Sequence, residues 1–267
     1  MPGTLYVVAT PLGNLADASP RALDTLKRVD IVACEDTRTS RTLLAAHGID
    51  ARTTALHAHN ERAAGEKLLR ALHAGESVAL VSDAGTPAIS DPGALLVAAA
   101  HRDGIRVEPI PGPSAAVAAF SAAGFAGGFL FAGFVPAKEL KSLDSALPVV
   151  LYEAPHRVLA TVRALIAKFG PERELVICRE LTKKFEEIAR MKLGDAPGWL
   201  EAGPHRQQGE FVLVLGPGEA KVADPGPVLD ALLESLPASE AAKLAARITG
   251  APRNTLYREA LQRAKKK

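Results

Sequence analysis

Four short apolar runs in the first 110 residues, Leu5–Ala9, Asp30–Cys34, Ser77–Val81 and Ile105–Ile110, alternate with helical patterns. Intervening helices of this length imply parallel pairing, since returning a strand in the same direction takes a crossover of a dozen or more residues. The helices are expected from about Ser19, with Pro20 in the first turn, near Ser40–His47, over 61–74 and over Ala94–Ala100. Ligands of open α/β sheets bind beyond the carboxyl ends of the strands, so the loops after these runs carry the functional information. The most informative is Val81-Ser-Asp-Ala-Gly-Thr-Pro-Ala-Ile-Ser-Asp-Pro-Gly93, a long loop of small, polar and turn-forming residues between a strand and a helix. Gly85 lets backbone approach a ligand closely, while Asp83 and Thr86 can hold its polar groups.

The pattern changes after Gly124-Phe-Ala-Gly-Gly128. Phe129–Phe134, Pro148–Tyr152, Glu174–Arg179, Phe185–Met191 and Glu210–Leu215 read as strands, with one clear helix at about 156–169, which predicts a second, mixed-sheet domain. Gly216-Pro-Gly218 and Asp224-Pro-Gly-Pro227 read as a linker. Beyond it, helical patterns at about 228–235, 239–248 and 253–264 include a pair joined by Thr249-Gly-Ala-Pro252, a turn of helix-turn-helix length. The expected domains are 1–112, 113–222 and a helical C-terminal segment, 223–267.

Composition bounds the function. At 267 residues, 48% hydrophobic and 23% charged, the chain suits a soluble globular protein with a substantial core. Aromatics at 4% argue against an extended stacking surface for single-stranded nucleic acid, and a net charge of +2 makes no global commitment to polyanions. Six basic residues against Glu259 between Arg253 and Lys267 form either a solvated terminus or a phosphate contact. Cys34 and Cys178 lie in apolar runs without metal-ligand spacing, as reduced core residues would. No run reaches the roughly 20 apolar residues that span a bilayer, and no basic leader precedes the first strand, so a cytoplasmic protein without membrane contact is expected.

Several motifs have both a bland and a functional reading. Thr10-Pro-Leu-Gly-Asn14 lies where a dinucleotide fold would carry G-x-G-x-x-G, which is absent, as is the P-loop; alone it is a turn. Glu35-Asp-Thr-Arg38 is either a helix N-cap with an acidic first turn or a substrate-facing cluster. Pro111-Gly-Pro-Ser114 is a tight turn that can also present Ser114 and helix-start amides to a ligand. Tyr152-Glu-Ala-Pro-His-Arg157 concentrates more chemistry than packing requires. Arg179-Glu-Leu-Thr-Lys-Lys-Phe-Glu-Glu187 is a charged hairpin turn, or its Lys183 and Lys184 bind phosphate or, if desolvated, supply a base. No histidine belongs to H-E-x-x-H or a comparable set, and no G-x-S-x-G occurs; a catalytic metal and an acyl-enzyme are both disfavoured.

Taken in order, Leu5–Asn14, Glu35–Arg38, Ser82–Gly93, Pro111–Ser114, Tyr152–Arg157 and Arg179–Lys184 resemble the 16S ribosomal RNA cytidine 2′-O-methyltransferases of the tetrapyrrole-methylase superfamily, over about residues 4–215. The resemblance implies an α/β, two-domain tetrapyrrole-methylase-like fold: a parallel-rich N-terminal sheet, a mixed-sheet second domain and a small helical C-terminal segment. It implies a homodimer that binds a folded S-adenosyl-L-methionine between the domains and acts on 16S ribosomal RNA or the 30S subunit. By position, Leu12, Asp83, Gly85, Thr86, Ile89, Ser114 and Ala115 are expected to contact the cofactor from one side. Tyr152, Glu153, Ala154, Leu181 and Glu210 complete the pocket. Lys183, Lys184 or Glu35 is expected to accept the hydroxyl proton, and Asp36, Arg38, His156 and Arg157 to meet the RNA. The chain departs from the family pattern after Gly133-Phe-Val-Pro136: only Ala137–Leu147 stands where a longer basic segment is usual, so one RNA-gripping element is expected to be reduced. The competing readings are a methyltransferase of the same fold acting on a small tetrapyrrole, a non-enzymatic RNA-binding protein, and a metal-dependent nucleotide hydrolase.

Overall fold

Parallel pairing does organise the first third of the chain. The structure, a computed structural model, describes residues 1–134, 143–218 and 225–264. Strands β1 (Thr4–Val8), β2 (Ile31–Cys34), β3 (Thr53–Ala55), β4 (Val78–Leu80) and β5 (Arg106–Ile110) form one sheet in the order β3-β2-β4-β1-β5, every pair parallel. The strands read as unbroken apolar runs because both faces are covered. Leu5, Ile31, Val78 and Leu80 pack on one side with helices α3 (Glu61–His73) and α4 (Ala94–Arg102). Val32, Cys34, Ala79 and Val81 pack on the other with α1 (Pro20–Arg28) and α2 (Thr37–Ala46). Strand β3 was not anticipated; at three half-buried residues it is too short to show a period.

The second sheet is mixed, as expected. Its strands β6 (Leu130–Phe134), β7 (Val149–Glu153), β8 (Glu174–Arg179), β9 (Glu187–Lys192) and β10 (Phe211–Leu215) run in the order β6-β7-β10-β8-β9, with β6 parallel to β7 and the other pairs antiparallel. Helix α5 (Ala115–Ala123) lies against one face, where Ala116, Ala119 and Ala123 meet Val150, Val176, Val212 and Val214. Alanine on that stripe lets helix and sheet approach closely. On the other face α6 (Val158–Phe169) and α7 (Ala196–Glu201) cover Leu151, Ile177 and Leu213. Helix α7 escaped sequence reading because Pro197 and Gly198 occupy its short length. Both cysteines are free and buried, and burial pushes the Cys178 thiol up to about 12.

The chain divides into two compact units, Met1–Pro217 and Gly218–Lys267. The second contains α8 (Pro225–Leu233), α9 (Ala238–Thr249) and α10 (Arg253–Ala264) around Leu229, Ala241, Ala245, Leu256 and Ala260. Helix α8 begins within the stretch expected to be linker, since prolines are accepted in a first turn, where the missing N–H would have no helical acceptor. Gly250, at φ +73°, ends α9 in the left-handed region and sets up the turn into α10. Part of the expected linker (219–224), most of the shortened segment (135–142) and the Lys265–Lys267 tail lie outside the described residues. Among the described residues no helix is long and apolar enough to cross a membrane.

Helix α4 starts on Gly93, at φ +124°, where a Cβ would come within 2.6 Å of Leu80 Cδ2. Because glycine offers no capping side chain, Glu61 of α3 supplies one: its Oε1 accepts from the Gly93 and Leu95 amides at 2.8 and 3.1 Å. Glu61→Ala is therefore expected to cost about 1 kcal/mol, the usual loss of a helix cap. A lower denaturant midpoint with unchanged circular dichroism is the expected reading.

Candidate active site

Three loops at the carboxyl edge of the parallel sheet are locked together by backbone. Thr10 and Gly85 exchange N–H···O bonds of 2.8 and 3.1 Å, and the buried Thr10 hydroxyl donates to the Ser82 carbonyl at 3.2 Å. Thr86 Oγ1 donates to the Pro113 carbonyl at 2.9 Å, which ties in the turn before α5. Gly85 sits at φ +81°, and a Cβ there would press on Leu12 Cδ2 at 3.2 Å. The turn at Thr10–Asn14 is thus half of a loop-to-loop pairing.

Beyond these loops lies a cavity of about 400 Å³. Leu12, Asp83, Gly85, Thr86, Ile89, Ser114 and Ala115 wall it from the first-sheet side. Tyr152, Glu153, Ala154, Leu181 and Glu210 wall it from the second sheet, so every residue named above for the cofactor meets at one space. Sequence reading missed Asp91 and Phe134, among others. Asp91 lies within the conspicuous loop and was findable there; Phe134 was not, because its orientation depends on strand pairing.

The cavity has a one-sided electrostatic character. Asp83, Asp91, Glu153 and Glu210 line it, and among the described residues no lysine, arginine or histidine does. Burial, opposed by a hydrogen bond from Ser82, raises the Asp91 carboxyl above its ordinary value, with Asp83 adding to the rise. Glu153 is nearly fully buried and committed to its own turn: it accepts from the Ala154 amide at 2.8 Å and the Thr161 hydroxyl, and pairs with Arg157 at 3.3 Å. A volume within the range of small-ligand sites, apolar walls for a flat heterocycle, and carboxylates as the only ionisable acids or bases among the described lining residues apart from Tyr152 suit a cationic ligand. They suit a phosphate or a polycarboxylate poorly. Sulfonium and ammonium groups, an adenine and a ribose match this donor set.

The remaining expected site residues flank the cavity without lining it. Glu35 is raised by burial and by Asp83, Asp91 and Asp36. Asp36 caps α2, accepting from the Arg38 amide at 2.8 Å, and the Arg38 guanidinium folds back onto it, holding Asp36 at about 2. The N-cap reading of that motif is realised by Asp36, without an acidic residue in the first turn of α2, and the cap leaves Arg38 88% exposed. His156 is exposed and Lys184 lies over the Phe185 ring at 5.5 Å. Lys183 departs from the desolvated base that was entertained. Its stem crosses Gly13, where a Cβ would meet Lys183 Cγ at 2.3 Å, and its Nζ donates to Glu180 at 2.9 Å and Glu210 at 3.0 Å. Burial lowers its pKa, but the two carboxylates outweigh burial and leave it raised, so Lys183 is a protonated strut between loops of the two sheets.

Strain concentrates in the same loops. Among the described residues, four non-glycine residues have positive φ: Ala88 (64°) and Ser90 (65°) flank Ile89, and Glu180 (52°) and Thr182 (66°) flank Leu181. The Thr182 hydroxyl is also buried without a partner. Left-handed backbone at such residues costs on the order of 1 kcal/mol or more each and is typical of ligand clamps.

A parallel sheet, a mixed sheet and a ligand cavity between them define the architecture of the tetrapyrrole methylases, and comparison agrees. Residues 4–197 match the family model for Tetrapyrrole (Corrin/Porphyrin) Methylases, and residues 219–264 match the RsmI C-terminal HTH domain. Uroporphyrin-III-C-methyltransferase from Thermus thermophilus superposes with a TM-score of 0.61 at 23% identity, over 80% of this chain and 94% of that one. A structure of the Thermus enzyme complexed with S-adenyl homocysteine gives 0.58 at 21%, over 80% and 97%. Sequence likeness is much stronger elsewhere. Ribosomal RNA small subunit methyltransferase I of Mesorhizobium japonicum is 50% identical over 272 residues, covering 97% of this chain and 91% of that protein. The chain belongs to the tetrapyrrole methylases and, within them, to the ribosomal RNA small subunit methyltransferase I family.

Two predictions follow from this geometry. Gly85→Ala places a side chain against Leu12 at a φ that favours glycine, so donor affinity is expected to fall more than tenfold by calorimetry while stability drops by about 1 kcal/mol. The Lys183 strut also sets a pH window. Burial raises the Glu180 carboxyl, but Lys183 and the Glu210 amide overcome this and leave it below its ordinary 4.5. A lowered carboxylate stabilises the fold above its unfolded value, and that contribution is lost as pH falls from about 4.5 through the folded value. Lys183→Met is expected to flatten the loss of stability across that acid window and to lower stability between pH 6 and 8, where the wild-type contribution is fully present, as read from denaturant midpoints against pH.

Proposed function

We propose that this chain transfers a methyl group from S-adenosyl-L-methionine to the ribose 2′-hydroxyl of a cytidine in the decoding region of 16S ribosomal RNA. The observation that carries the reading is the carboxylate-lined cavity, walled by the same loops whose sequence places the chain in its family. Asp83, Gly85, Thr86, Ile89, Ser114 and Ala115 would hold the cofactor from one side, with Tyr152, Ala154 and Leu181 opposite. Bound there, it supplies an electrophilic methyl group on a sulfonium whose charge disappears on transfer.

The protein's own contributions are position and proton handling. Rigid loops, cross-bonded at Thr10–Gly85 and Thr86–Pro113, fix the geometry in which acceptor and donor meet. A ribose hydroxyl is a poor nucleophile until its proton has a destination, and Glu35 serves best among the candidates. Burial and three neighbouring carboxylates raise its pKa toward the working pH, where a base is most effective. The exposed Arg38 and His156, with Arg157, then meet phosphates that the acidic interior repels. The family resemblance further supports a homodimer working in the cytoplasm; a monomer in sedimentation velocity at micromolar concentration would remove the dimer.

The test is incubation of the protein with labelled donor and 30S subunits, followed by mapping of the methylated nucleotide. Label in a cytidine ribose is expected, and no incorporation into subunits or naked RNA would overturn the reading. Glu35→Gln is expected to lower kcat by about 100-fold at unchanged donor affinity. Raising salt from 50 to 200 mM is expected to weaken subunit binding in proportion to the phosphates engaged.

A further inference from the structure

We infer that Phe134 is the stacking residue for the acceptor nucleobase, placed at the cavity mouth by a bulge in β6. In a regular strand Phe131 and Phe134, three residues apart, face opposite sides. The β6–β7 register instead slips between Phe131, opposite Val150, and Gly133, opposite Leu151, so that Phe134 pairs with Tyr152. The extra residue turns both phenyl rings to one side, and both meet Tyr152 edge-on, at 5.0 Å for Phe131 and 5.6 Å for Phe134. Gly133 makes the bulge possible: it has φ +61°, and a Cβ there would come within 2.9 Å of Ser90 Oγ in the strained loop. Bulges beside active sites re-aim side chains in this way.

The backing ring is itself fixed. Tyr152 is held by Phe131 on one side and is packed against the cluster of Ala116, Ala119 and Val150 where α5 meets the sheet. Deeper wall residues Leu181, Phe211 and Val212 are buried, whereas Phe134 is 57% exposed. A large apolar ring held in water by a rigid support is a cost with no packing return. Its open face stands at the rim, where the acceptor arrives, rather than on the enclosed walls. Because carboxylates line the interior and, among the described residues, no lysine, arginine or histidine does, RNA reaches it through its uncharged base and ribose. A splayed base docks on an aromatic face, and ribose methylation requires a splayed nucleotide.

This inference rests on the ribosomal RNA reading, and the experiment separates the two. Wild type, Phe134→Ala and Phe134→Trp are compared in steady-state methylation of 30S subunits, with calorimetry for S-adenosylmethionine and a thermal melt. Phe134→Ala is expected to raise KM for subunits roughly 5- to 150-fold, the effect of removing one base–aromatic stack. Melting temperature and donor affinity stay unchanged, and Phe134→Trp returns KM to within about threefold of wild type. An unchanged subunit KM for Phe134→Ala overturns the inference alone. So does a loss confined to donor affinity, which assigns the ring to the donor's adenine. Failure of wild type to methylate subunits overturns the inference together with the reading beneath it.

Discussion

The pairing of Thr10 with Gly85 is the contact on which the site depends. Two loops that leave β1 and β4 side by side are joined there by reciprocal backbone hydrogen bonds, with the Thr10 hydroxyl buried beneath them. Only a residue without a Cβ adopts φ +81° against Leu12 at no steric cost, so the glycine is set by its neighbour across the gap as much as by its own turn. Once those loops are fixed, Thr86 reaches the Pro113 carbonyl and α5 starts where its first turn faces the cavity. The second sheet then closes the space with β7, β10 and the loop after β8.

That closure has an electrostatic logic. The carboxylates point inward, while the cations stay outside, on the rim or committed as struts such as Lys183. Such a division favours a positively charged cofactor within and a polyanion without. The strained residues beside Ile89 and Leu181 fall on the two loops that face each other across the cavity, where rigidity is worth its energetic cost.

Much of the architecture was legible because the signals are local. The apolar runs at Leu5, Ile31 and Val78 are buried on both faces and announce themselves without alternation, and α3 carries a clear periodic stripe. Elements lacking such signals were lost: β3, three residues at a sheet edge, and α7, with Pro197 and Gly198 in its span. The linker was drawn over Pro225-Gly-Pro227, which in fact opens α8, because the same residues that break a helix interior are accepted in its first turn.

Sequence by itself determined the class of fold, the loops that would carry chemistry and the family, since glycine, proline and carboxylate positions in order are one-dimensional facts. Tertiary structure decided what those side chains do. Glu35-Asp-Thr-Arg38 divides into a half-buried carboxyl with a raised pKa and a helix cap, because burial and neighbours set ionisation. Lys183 becomes a protonated strut because Glu180, in its own loop, and Glu210, 27 residues further along the chain, converge on one amine. Phe134 faces the cavity because one extra residue in β6 reverses its side, and register is a property of two paired strands that neither strand encodes alone.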